Sequence, residues 1–176
     1  QRKAPRVRPE ARHGPFARLP TLATPRWALL VQGCEAHLPV ARALMDAYRF
    51  LPDARLDDVM VSWASDGGGV GPHVDAYDVF LVQVAGRRRW RVSHQRDLQL
   101  IDGLPLKILR DFRAEHDWVL EPGDILYLPP LWAHDGVALG MDCITASVGF
   151  RAPSAQELAQ ALLPRLLDAD EELPAL

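Results

Sequence analysis

Short apolar runs broken by glycine and proline dominate the chain, and helical spacing is sustained only twice along its 176 residues. Residues 27–32 (Trp-Ala-Leu-Leu-Val-Gln) predict a buried strand closed by Gly33. Over 37–51, Leu38, Ala41, Leu44 or Met45, Tyr48 and Leu51 recur at helical intervals, predicting an amphipathic helix stopped by Pro52. Residues 58–65 read as a strand that delivers the chain into Gly67-Gly-Gly-Val-Gly-Pro. Residues 79–84 form a mostly apolar strand, Ala85-Gly86 suggests a tight reversal, and 87–92 alternate like a returning strand, so a hairpin is expected. The stretch 93–115 is loop-rich, with 106–109 as a short strand, and its length suggests a lid or substrate-facing insertion.

A second hairpin is expected from 118–120, the turn Glu121-Pro-Gly-Asp124, and 125–128. Residues 136–139 and 143–150 supply two further short strands. Several short strands with regular turns argue for an antiparallel sandwich or barrel. Ser154-Ala-Gln-Glu157 reads as a capping box for a helix through Leu167, kinked or shortened at Pro164. Residues 1–25, rich in proline and arginine, read as an irregular arm.

Length limits the chain to one domain with a substantial core plus an appendage. Hydrophobic residues at 48% and charged ones at 24% are those of an ordinary globular protein. No apolar run reaches the ~18 residues that cross a bilayer, and residues 1–8 lack the apolar core of a secretory signal, so a soluble cytoplasmic protein is expected. The missing initiator Met fits a processed or truncated piece of something longer. A net charge of -3 gives no reason to expect sequence-specific nucleic-acid binding, although basic residues gather at the N-terminus and at 87–91. Cys34 and Cys143 are far apart and in no ligand spacing, so free buried thiols are expected.

The chemistry centres on His73-Val-Asp75. In an extended segment residues i and i+2 share a face, so an imidazole and a carboxylate converge. A third ligand is offered by His134 in Gly123-x5-Pro129-x4-His134. That segment fits the second cupin motif, and Gly67-x5-His73-x-Asp75-x3-Val79-x6-Gly86 fits the first with two substitutions: Asp75 stands for the usual second His and Val79 for the usual Glu. Two histidines and one carboxylate leave coordination positions open, which suits non-haem Fe(II) with a bidentate co-substrate and O2. A structural zinc would want four protein ligands. His13, His37, His94 and His116 have no ligand spacing.

The chain resembles the JmjC-type 2-oxoglutarate oxygenases, and within them the bacterial ribosomal-protein hydroxylases. The likeness is carried by Gly-Gly-Gly-Val-Gly-Pro-His73-Val-Asp75, Tyr77-Asp-Val-Phe, Gly86-Arg-Arg-Arg-Trp-Arg-Val, Glu121-Pro-Gly-Asp-Ile-Leu-Tyr and Ser147-Val-Gly-Phe-Arg-Ala-Pro, with His13-Gly-Pro-Phe and residues 27–32 also similar. The resemblance implies a double-stranded β-helix (jelly-roll, cupin or JmjC barrel) over 26–152 with flanking helices. It also implies that 153–176 begin a helical dimerisation segment, giving a homodimer if that region is complete.

It further implies Fe(II), 2-oxoglutarate and O2 at His73, Asp75 and His134, with no catalytic group beyond these ligands. Arg88 matches the position that binds the far carboxylate of 2-oxoglutarate. A guanidinium pairs bidentately with a carboxylate, and alternation puts Arg88 with inward Trp90 and places Arg87, Arg89 and Arg91 on the other face, read as solvated, with a basic patch that meets ribosomal material as the alternative. Thr145 and Ser147 are candidates to add a hydroxyl to the same carboxylate, with ordinary strand packing as the alternative. The implied reaction is hydroxylation of an arginine in a large-subunit ribosomal protein. Tyr77, Asp78 and Asp135 are the nearest candidates to hold that guanidinium, against a default of exposed loop acids. The alternatives are a histidine-directed ribosomal oxygenase, a metal-dependent cupin isomerase and a non-catalytic metal-binding sensor.

Overall fold

The computed structural model describes residues 11–151, 153 and 155–171, with side chains through 166. Residues 1–10 of the expected arm, and Ser154 of the expected capping box, lie outside the described residues. The elements are β1 (Ala28–Val31), α1 (Pro39–Asp46), β2 (Leu56–Ala64), β3 (Val79–Ser93), β4 (His116–Leu120), β5 (Ile125–Leu128), β6 (Ala133–Phe150) and α2 (Ala155–Glu171). All strands join one antiparallel sheet in the order β1-β2-β6-β3-β4, with β5 also paired to β3. It is a mainly-β, jelly-roll type of fold whose sheet bends without closing.

The two expected hairpins are absent. β3 runs through Ala85-Gly86 without reversing, and β6 runs as one strand from Ala133 to Phe150 alongside it. What Gly86 provides is a bulge: the β3–β6 register shifts on both sides of Ala85. Gly86 sits at φ 62°, and a Cβ there would lie 2.9 Å from Asp142 O. Gln83 Nε2 donates to the loosened carbonyls of Ala85 (2.7 Å) and Gly86 (3.3 Å), so the kink keeps its backbone groups satisfied. Likewise β4 and β5 do not pair with each other. Both line up along β3 as one interrupted partner strand, and the turn at Glu121–Asp124 interrupts it opposite Gln83.

The helix is shorter than its periodicity suggested. Pro39 occupies its first turn, where a missing N–H costs nothing. Beyond Asp46 the bonds tighten to i→i−3, as in Tyr48 N to Met45 O at 2.9 Å, so the spacing continues as turns. α2 passes through Pro164 and reaches Glu171. Among the described residues, no helix is long and apolar enough to cross a membrane.

The strands carry different cargo on their two faces. Val59 and Val61 of β2, Phe80 and Val82 of β3, and Ala146, Val148 and Phe150 of β6 pack with Ala41, Met45 and Tyr48 from the α1 region. Val59 and Val148 are fully buried, each contributing about 1.5–3 kcal/mol of hydrophobic stabilisation. On the opposite face, Met60, Ser62, Val79, Leu81, Thr145 and Ser147 line a cavity. The Gly86 bulge switches parity, so Val79 and Leu81 before it and Arg88 and Trp90 after it all face inward. On the outer side Arg89 pairs with Asp117, Arg91 pairs with Asp135, and Arg87 is exposed.

Candidate metal centre

His73, Asp75 and His134 come together, with one potential ligand atom from each lying within 4.8 Å of the others. Local backbone bonds create this meeting. His73 and His134 form an antiparallel bridge, each N–H donating to the other's carbonyl at 3.0 and 2.9 Å. Asp75 O accepts from Leu131 N at 2.7 Å, tying the third donor to the Pro129–Trp132 turn before β6. The imidazoles lie 4.2 Å apart by ring centroid.

Both rings are held in one tautomer. His73 Nδ1 meets Gly71 O at 2.8 Å and His134 Nδ1 meets Trp132 O at 2.9 Å. A carbonyl only accepts, so each Nδ1 carries a proton and each Nε2 is the ring nitrogen left to face a metal. His134 Nε2 stands 3.6 Å from Asp75 Oδ2. Burial, and secondarily the neighbouring His73, lower the His134 pKa to about 4, outweighing Trp132 O, Asp75 and Asp135. The ring therefore stays neutral, as a metal ligand must.

The three donors open into a cavity of about 360 Å³, also lined by Arg88, Thr145, Ser147 and Tyr77. Arg88 is 3% exposed. Its Nη2 donates to Ser62 Oγ at 3.0 Å, while its buried Nε has no partner. Thr145 Oγ1 donates to Gln83 Oε1 at 2.8 Å, so its hydroxyl proton is already committed. Tyr77 is pushed up to about 12 by burial and then by Asp75, Asp58 and Asp57.

Two of the acids suggested by sequence lie elsewhere. Asp78 accepts from Tyr127 OH at 2.6 Å and sits 3.7 Å from Arg55. Asp135 is buried against Arg91. Neither lines the cavity; Asp57 and Asp58 do. Asp58 Oδ2 accepts from Gly33 N at 3.0 Å, yet burial raises its pKa. Ser62, Met60, Asp57 and Asp58 were missed by motif reading. For Met60 and Ser62 the signal was the alternation of β2, where they oppose Val59 and Val61; Asp57 and Asp58, being adjacent, could not both be placed by alternation. The expected lid is also absent: among the described residues, none from 93–115 lines the cavity. His94 stacks on Trp132 and His116 on Trp118, away from the donors.

Three similarities stand beside this geometry. The chain is 47% identical over 162 residues to the ribosomal protein uL16 3-hydroxylase of Escherichia coli, covering 90% of this chain and 42% of that protein. It is 39% identical to a probable ribosomal oxygenase of Haemophilus influenzae, covering 90% and 39% respectively. The structure of E. coli YcfD in complex with cobalt and 2-oxoglutarate superposes with a TM-score of 0.75 at 42% identity, over 94% of this chain and 45% of that one. The chain thus spans less than half the length of these relatives. The JmjC domain family matches residues 43–158, a stretch that begins within α1 and contains all three donors and Arg88, and the chain belongs to that family.

Proposed function

We propose that this chain is the catalytic unit of an Fe(II)- and 2-oxoglutarate-dependent protein hydroxylase acting on an arginine of a large-subunit ribosomal protein. The observation that carries the reading is a three-donor site sharing one cavity with a buried, incompletely paired arginine. The residues fit the implied groups. His73 Nε2, Asp75 and His134 Nε2 are two imidazoles and a carboxylate with tautomers fixed from behind, a set suited to Fe(II) with open positions. Among the described residues no carboxylate pairs with Arg88, and a buried cation without a counter-anion is strongly disfavoured. A dicarboxylate reaching from the metal centre would supply that anion. The complex of E. coli YcfD with cobalt and 2-oxoglutarate supports the assignment.

Fe(II) held there with 2-oxoglutarate and O2 supplies the oxidising power to hydroxylate an unactivated C–H bond, with succinate and CO2 as co-products. The protein's own part is positioning. Arg88, steadied by Ser62, takes the far carboxylate through its free N–H groups, with Ser147 beside it on the lining. Trp90 and Leu81 keep that end of the cavity apolar, which strengthens the ion pair. Tyr77 and Asp58 then form the clamp for a substrate guanidinium, which must be stacked or paired once desolvated. They replace the pairing with Asp78 and Asp135 suggested by sequence.

The uL16 hydroxylase of E. coli supports a ribosomal substrate. Such a substrate places the enzyme in the cytoplasm. The barrel unit runs over 26–152, and residues from 153 on begin a helical dimerisation segment. Leu158, Leu162, Leu163 and Leu166 of α2 are all about half exposed, as an uncovered helix interface would be. The test is mass spectrometry of ribosomal proteins and matching peptides after incubation with enzyme, Fe(II) and 2-oxoglutarate. One added oxygen on an arginine is expected. Oxygen on histidine would overturn the substrate and keep the mechanism, and 2-oxoglutarate consumed without any ribosomal product would overturn the ribosomal assignment.

A further inference from the structure

We propose that Ile108 and Leu109, which lie outside the cavity, are positioning residues for the metal centre and act through the two residues that precede His73. The inference rests on the reading of His73 as a ligand. Residues 99–110 fold back on themselves: Leu100 and Leu109 form an antiparallel bridge, Ile101 N donates to Ile108 O at 2.8 Å, and Arg110 N donates to Gln99 O at 2.7 Å. This small ladder brings Ile108 and Leu109 to 5% and 2% exposure. So deep a burial, in a loop that lines no part of the cavity, needs another purpose.

What the pair holds is Gly71-Pro72. Leu109 N donates to Pro72 O at 2.8 Å; proline has no N–H, so this carbonyl is its only backbone polar group. Gly71 stands at φ 96°, and a Cβ there would be 3.3 Å from Ile108 Cδ1. The carbonyl of that same Gly71 accepts the His73 Nδ1 proton at 2.8 Å and so fixes the tautomer and ring direction. His73 is thus held on one side by its backbone bridge to His134 and on the other by a two-residue loop that Ile108 and Leu109 keep in place. Outer partners of this kind typically change metal affinity about 10- to 100-fold when lost.

Cobalt(II), titrated into the full chain and followed by its visible absorption and by chelator competition, tests the proposal. Ile108→Ala and Leu109→Ala should each weaken Co(II) binding about tenfold and alter the bound-cobalt spectrum, well below their unfolding temperatures. Val59→Ala, which opens a comparable defect in the core beneath α1, should lower the unfolding temperature and leave cobalt binding unchanged. Parent-like cobalt affinity and spectrum in both loop variants would overturn the proposal, as would an equal loss in Val59→Ala. If either alanine variant fails to fold, Ile108→Val should show a smaller shift in the same direction, and no shift would overturn it. His73→Ala must abolish binding; if it does not, the ligand assignment fails, and that result is distinct from a failure of the buttress.

Discussion

β2, β3 and β6 present two faces separated by one residue along each strand, and the two are built to opposite rules. Beneath α1, Val59, Val148, Phe150 and Tyr48 fill an apolar interior whose titratable groups are the Tyr48 hydroxyl and the Cys34 thiol, both pushed up by burial and so kept neutral. On the other face, Ser62, Arg88, His134, Thr145 and Ser147 are just as buried and all polar. The first arrangement gains stability from removing carbon from water. The second gives stability up, because Arg88 and His134 are shielded from water without full compensation. Stability and chemistry are thereby sorted to opposite sides of the same backbone, a separation that substitutions can break one side at a time.

The largest effect belongs to the donors. Asp75→Ala or His134→Ala should each abolish iron-dependent succinate formation and cobalt binding, as read by succinate release and spectroscopic titration. Next comes Arg88→Met. It should weaken 2-oxoglutarate binding about a thousandfold, the loss expected for a buried charge pair, while raising the unfolding temperature of the ligand-free protein, since an apolar isostere removes a buried cation. A fall in both quantities would break the comparison.

The pH dependence follows from His134. Its folded pKa of about 4 lies below the ordinary imidazole value of 6.5, so below pH 6.5 the unfolded chain takes up a proton that the folded chain refuses. Stability present above pH 6.5 should therefore be lost as pH falls to about 4, by about 3 kcal/mol in the metal-free protein. Denaturant titrations across that range would show the slope, and His134→Asn should flatten it. Smallest is Val148→Ala on the apolar face, expected to cost about 2 kcal/mol of stability with metal and 2-oxoglutarate affinities unchanged.

Much of this was legible in the sequence because the site is spelled out locally. His73-x-Asp75 lies on one face of an extended segment, and the spacing from Gly123 to His134 ends at the third donor. Arg88 faced inward because Trp90 had to. What the sequence concealed were facts of pairing rather than of residue type. Ala85-Gly86 has the composition of a reversal, yet Gly86 relieves a clash with Asp142 in a continuous strand. Glu121-Pro-Gly-Asp124 is a turn, but both flanking strands bond to β3. Asp78 and Asp135 adjoin Tyr77 and His134 in sequence and yet pair with Tyr127 and Arg91; for Asp135 the reason is that neighbours in a strand face opposite ways. Asp57 and Asp58 carried no motif at all; they sit where the β2–β6 register shifts between Leu56 and Val59, and both line the cavity.

The central claim is that the three donors and Arg88 form a single site for Fe(II) and 2-oxoglutarate. Anaerobic titration of 2-oxoglutarate into the Fe(II)-loaded protein, followed by visible absorption, tests it most directly. A weak charge-transfer band should grow with 2-oxoglutarate in the parent protein, be absent in Asp75→Ala, and in Arg88→Met require a far higher 2-oxoglutarate concentration. No band in the parent at saturating 2-oxoglutarate, or the same band at the same concentration in either variant, would contradict the account.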